Sequence, residues 1–76
     1  MSERFVPCLV DCTFVQRVTK GDAEELAECY GASVEEFSKD GTHARFWVEA
    51  GQEQAFMDFC LDDVMVKAAS RCRPQQ

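Results

Sequence analysis

Along the chain, hydrophobic and polar positions change period three times, marking four segments. From Phe5 to Val18, a stretch rich in β-branched and aromatic residues puts Val6, Cys8, Val10, Cys12, Phe14 and Val18 on one parity, which predicts strand. Pro7 has no N–H to donate and suits a strand edge or start. The stretch is long enough to be one strand, or two with a bend near Asp11. Lys20-Gly21-Asp22 then reads as a turn into a helix, with Asp22 as N-cap and Glu25 three residues on, in the manner of a capping box.

At about 100° per residue, Ala23, Leu26, Ala27, Tyr30, Val34 and Phe37 fall in one arc and Glu24, Glu25, Glu28, Glu35 and Glu36 in the opposite one, so an amphipathic helix is predicted as far as Phe37. Gly31 either sits inside this helix at a cost of about 1 kcal/mol or ends it, with Ser33 and Glu36 capping a second helix. In both cases the acidic face stays roughly contiguous. After the turn Lys39-Asp40-Gly41-Thr42, the chain alternates to Ala50, with Ala44, Phe46, Val48 and Ala50 on one side and His43, Arg45, Trp47 and Glu49 on the other. This predicts a strand with one buried face. A hairpin through Asp40-Gly41 would set Glu35 against Phe46 on that buried face, so the segment before the turn is read as helix.

Beyond Gly51 a final helix over about residues 52–71 is predicted, with Phe56, Met57, Cys60, Leu61, Val64, Met65 and Ala68 on one broad side. Ala55, Phe59 and Val66 form a second apolar stripe among Asp58, Asp62 and Asp63. Together these elements predict one α+β domain over residues 1–76: a small antiparallel sheet of two or three strands packed against two main helices, in the order β(β)-α-β-α. Residues 1–4 and 72–76 are expected as flexible ends.

Composition supports a folded chain. At 76 residues, 46% of them hydrophobic, the sequence can fill one core and no more. No apolar run approaches the roughly 18 residues of a membrane helix, and Met1-Ser2-Glu3-Arg4 lacks the basic-then-apolar pattern of a secretion signal, so a cytoplasmic protein is expected. The net charge of −6 hides an asymmetry: from Asp22 to Asp63 twelve acidic residues stand against Lys39 and Arg45. Such a surface repels phosphate backbones and argues against direct nucleic-acid binding. It attracts a basic surface on another protein and steers that encounter.

The five cysteines, Cys8, Cys12, Cys29, Cys60 and Cys72, are an odd number and lack a Cys-x-x-Cys spacing, which argues for reduced thiols and against a thiol-redox enzyme. On a strand, Cys8 and Cys12 are separated by roughly 13 Å, too far to share a zinc ion; only a helix there would restore the pair. Buried thiols are expected, except at Cys72, whose flanking Arg71 and Arg73 predict the most reactive cysteine. The sole histidine, His43, has no nucleophile or carboxylate near it in a pattern suggesting a triad, and neither a phosphate loop nor a His-Glu-x-x-His run occurs. No enzyme activity, metal or cofactor is expected.

Binding is the remaining class. The helical carboxylates have almost no Lys or Arg four residues on to offset their repulsion, which a plain solvated face does not require. Trp47 reads equally as covered by a helix or as an aromatic interface anchor, and the stripe of Phe59 and Val66 has the same two readings. The candidate partner-binding residues are Glu24, Glu25, Glu28, Glu35, Glu36, Trp47, Phe59, Asp62, Asp63 and Val66. In size, acidity and aromatic content the whole chain resembles the small phage-encoded anti-CRISPR proteins. That resemblance implies an inhibitor of a host defence complex, its carboxylates standing in for phosphates in a basic nucleic-acid channel. The alternative is a homodimeric structural or adaptor module using Phe59, Val66 and Trp47 as a symmetric patch.

Overall fold

Two of the four strands arise from segments whose periodicity assigns them to helix. The computed structural model describes residues 7–72, so the expected flexible ends at 1–4 and 72–76 lie outside it except for Cys72, which is buried. In chain order the elements are β1 (Leu9–Phe14), α1 (Lys20–Tyr30), β2 (Ser33–Phe37), β3 (His43–Trp47), α2 (Glu53–Leu61) and β4 (Val66–Arg71). They form one four-stranded sheet in the order β2-β3-β1-β4, with every neighbouring pair antiparallel. Each half is a split β-α-β unit, which is ferredoxin-like connectivity. The expectation of a two- or three-stranded sheet in the order β(β)-α-β-α is thereby corrected to four strands in the order β-α-β-β-α-β.

The first correction falls at Gly31. Its φ of 81° lies in the left-handed region, where glycine is at ease, and its N–H caps the carbonyls of Ala27 and Glu28. Helix α1 stops there, and Val34 and Phe37 reach the core from a strand. The helix begins one turn earlier than Asp22 suggests: Thr19 is the N-cap. Its hydroxyl accepts from Asp22 N–H and Asp22 Oδ2 accepts from Thr19 N–H, both at 3.1 Å.

The Asp40-Gly41 hairpin exists, and a bulge removes the objection to it. Phe37 pairs with Ala44 and Glu36 with Arg45, as a two-residue turn requires; the ladder then skips Glu35, and Val34 faces Phe46. One extra residue thus returns an apolar side chain to the core face. The second correction concerns the predicted helix over 52–71. Helix α2 ends at Leu61, the Asp63 N–H bonds the Cys60 carbonyl at 2.9 Å, and Asp63 Oδ1 accepts from Met65 N–H at 2.9 Å, turning the chain into β4. Lys67-Ala68-Ala69-Ser70 has little intrinsic strand preference, but β1 is a buried central strand whose second row of N–H and C=O groups needs a partner.

Both helices cover the same sheet face. Val10, Cys12 and Phe14 of β1, Ala44 and Phe46 of β3 and Val66 of β4 pack against Ala23, Leu26 and Ala27 of α1 and Phe56, Met57 and Cys60 of α2. Phe46 and Phe56 are fully buried, with ring centroids 5.3 Å apart in an edge-to-face arrangement. Burial of each such ring contributes on the order of 2 to 3 kcal/mol. α1 lies chiefly along β2, and α2 along β4 and β1. Among the described residues, nothing covers the other sheet face.

Candidate binding surface

Directly opposed residues in antiparallel strands share a face, so the register gives the composition of the uncovered side. One row contains Ser33, Trp47 and Leu9; the next Glu36, Arg45, Asp11 and Ser70; the third His43, Thr13 and Ala68. Trp47 is 42% exposed, and among the described residues no helix covers it. Arg45 Nε donates to Asp11 Oδ1 at 2.8 Å, and Arg45 Nη1 lies 3.7 Å from Glu36 Oε1. The Asp11 hydrogen bond, in first place, raises the guanidinium above its ordinary pKa. Both partners are partly solvated, so the pair contributes at most about 1 kcal/mol. A cavity of about 290 Å³ is lined by Asp11, Glu36 and Arg45 of this row together with Ser38, His43 and the apolar Cys12, Phe37 and Ala44. With one guanidinium between two carboxylates, the row is net negative.

The same sign extends around β2. Glu24 and Glu28, one helical turn apart on α1, border a groove of about 400 Å³ together with Ala27, Ala32, Ser33 and Val34. Ser33 is also the cross-strand neighbour of Trp47, so the groove and the open face meet at that residue. Glu35 and Glu36 are exposed on β2 itself, and Glu25 is exposed on α1. Of the candidates, Glu24 and Glu28 border the groove beside Ser33, while Glu36 and Trp47 lie in neighbouring rows of the open face. The route differs from the expected one, since two of the glutamates lie on a strand and not on a continuous helix. Among the described residues, Glu24, Glu25, Glu28 and Glu35 have no cationic partner.

Phe59, Asp62, Asp63 and Val66 lie elsewhere. Phe59 is half-buried, with its ring centroid 5.2 Å from that of Tyr30 and 6.1 Å from that of Phe56. Val66, 7% exposed, is the first residue of β4 and faces Phe14. The apolar stripe expected of these two on a helix is therefore part of the core and its margin, and not a surface patch. Asp62 is exposed, and Asp63 is engaged with Met65 N–H. Next to them Leu61 and Val64, assigned by the helical pattern to a buried face, are 50% and 91% exposed. Arg45 and Ser33 were also missed; only the cross-strand register makes them neighbours of the other residues.

The thiols are arranged differently from their spacing. Cys72, expected in a reactive tail, is buried beside β1, where its N–H bonds the Leu9 carbonyl; burial first, and then the Asp11 carboxylate, push its pKa up. Cys29 on α1 is exposed. Cys12 and Cys60 are both buried, and the Cys60 thiol is held protonated by its contact with the Cys12 thiol and by burial. His43, the first residue of β3, is exposed with Nδ1 2.9 Å from Thr42 Oγ1. Among the described residues, no group of three His, Cys, Asp or Glu side chains is placed to hold a metal ion, and no helix is long and apolar enough to cross a membrane.

The chain matches no protein-family model, no curated protein and no solved structure.

Proposed function

We propose that this is a non-catalytic, cytoplasmic binding domain that occupies a basic, nucleic-acid-binding surface on another protein, such as that of a host defence complex. One observation carries the reading: a partly exposed Trp47 on an uncovered sheet face, continuous through Ser33 with a groove bordered by Glu24 and Glu28, which lack cationic partners among the described residues. Trp47 is the aromatic anchor, of the kind enriched where binding energy concentrates. Glu24, Glu28, Glu35 and Glu36 form the acidic border that steers a positively charged partner and excludes an acidic one.

The test is capture from a lysate of cells able to host the protein, with wild type, Trp47→Ala and the combined reversal of Glu24, Glu28 and Glu36 to Lys as baits. The reading expects a nucleic-acid-binding protein that is displaced by heparin or double-stranded DNA and lost in high salt. Both variants should fold normally and fail to retain it. Capture that survives the charge reversal, or that polyanions do not displace, overturns it.

A further inference from the structure

The two outer strands of the sheet are opposite in charge and alike in construction. β2 and β4 each pair with one neighbouring strand only, so among the described residues no strand lies against the outer backbone groups of 33–37 or of 67–70. β2 reads Ser-Val-Glu-Glu-Phe and β4 reads Val-Lys-Ala-Ala-Ser-Arg. In each, one charged residue is passed over by the ladder: Glu35 between the Val34 and Glu36 pairings, and Lys67 between the Val66 and Ala68 pairings. Both residues are exposed.

Charged residues and bulges at sheet edges are devices that prevent strands of different molecules from pairing. Here the signs differ, so repulsion acts when β2 meets β2 or β4 meets β4, and turns to attraction when β2 meets β4. Strand direction is also compatible. β1 runs antiparallel to both β3 and β4, and β2 antiparallel to β3, so β2 and β4 are antiparallel to one another. A second copy placed beside the first in the same orientation would continue the sheet as antiparallel, with its helices on the same side.

We infer that the occupant of the β2 edge in the absence of other proteins is the β4 edge of a second copy, giving head-to-tail association in which Glu35 of one copy lies near Lys67 of the next. Such an interface uses two different surfaces, so it does not close at a dimer; it propagates until sheet twist closes a ring, or stays open. The inference does not depend on the proposed function, because it requires no other protein.

Sedimentation of the purified full chain, with reductant present, over a wide concentration range tests it. Wild type should pass from monomer through dimer to larger species, and at high salt the concentration needed for assembly should rise at least about tenfold. Glu35→Lys and Lys67→Glu, each shown to fold by circular dichroism, should stay monomeric alone. Mixing the two should restore assembly, as should combining both changes in one chain, because each basic edge again meets an acidic one. Wild type that remains monomeric throughout, a closed dimer, or assembly that persists in either single reversal would overturn the inference.

Discussion

Gly41 and Val18 hold the β2–β3 turn against the segment leading into α1: the Val18 N–H donates to the Gly41 carbonyl at 2.8 Å, and a Cβ at Gly41 would lie 2.6 Å from the Val18 carbonyl oxygen. Gly41 also has a φ of 73°, in the left-handed region that a side chain resists. Gly41→Ala therefore combines backbone strain with a clash against main chain. It should destabilise the fold by about 2 kcal/mol or more, read from urea melts, whereas Gly31→Ala, with the same sign of φ but open space at Cβ, should lose only about 1 kcal/mol. Equal losses would mean that the contact with Val18 does not matter.

Asp40 is the centre of the same turn. Its Oδ1 accepts from Thr42 Oγ1 at 2.7 Å, Ser38 Oγ at 2.8 Å and Thr42 N–H at 3.1 Å, and these bonds, the Thr42 hydroxyl foremost, lower its pKa from 3.8 to about 2. A carboxylate lowered on folding stabilises the folded state above its unfolded pKa, and the contribution disappears as pH falls through the folded value. The Asp40 carboxyl signal should titrate near pH 2 in the folded protein. Asp40→Asn should lose stability at neutral pH and show a shallower fall in stability between about pH 4 and 2. An unshifted titration would refute the turn's role.

Thiol reactivity should follow burial and not flanking charge. Brief alkylation of the native protein followed by mass mapping should label Cys29 first. Cys12, Cys60 and Cys72, all buried, should react only on unfolding, with Cys60 and Cys72 further protected by raised pKa values. Early labelling of Cys72 would indicate that the end of β4 opens readily.

The aromatic residues should separate by role. Phe56→Ala removes a fully buried ring packed against Phe46 and Tyr30 and should cost about 3 to 5 kcal/mol. Phe59→Ala, at the margin of the same cluster, should cost less, about 1 to 3 kcal/mol. Trp47→Ala should change stability by no more than about 1 kcal/mol, since the ring lies on an uncovered face. Thermal melts of the three variants rank them directly, and a Trp47 loss as large as that of Phe56 would place Trp47 in the structural core.

What could be read from the sequence was mostly local or fixed by residue parity. The alternation in 43–47 and in β1, the apolar stripe of α1 and the start of α2 all have periods that one short segment displays without its neighbours. The acidic border was legible for the same reason, because net charge follows from composition wherever the residues are placed. The errors share a different cause. Val34 and Phe37 keep helical spacing with Ala23 and Leu26, and Val64 and Met65 with Phe56 and Met57, so both continuations look helical from periodicity alone.

Three features decided the outcome, and none is a property of a single segment. Gly31 could take up the left-handed cap, the bulge at Glu35 realigned Val34 with Phe46, and the free edge of β1 required the pairing that Val66 and Ala68 to Arg71 provide. The sequence by itself determined an α+β fold with an acidic middle and buried Phe46 and Phe56. Only the tertiary structure decided that there are four strands, that Trp47 is exposed while Val66 and Cys72 are buried, and that Glu24 and Glu28 meet β2 at a shared groove. Strand pairing satisfies backbone groups between segments far apart in the chain, and that demand outweighs local propensities of a few tenths of a kcal/mol per residue.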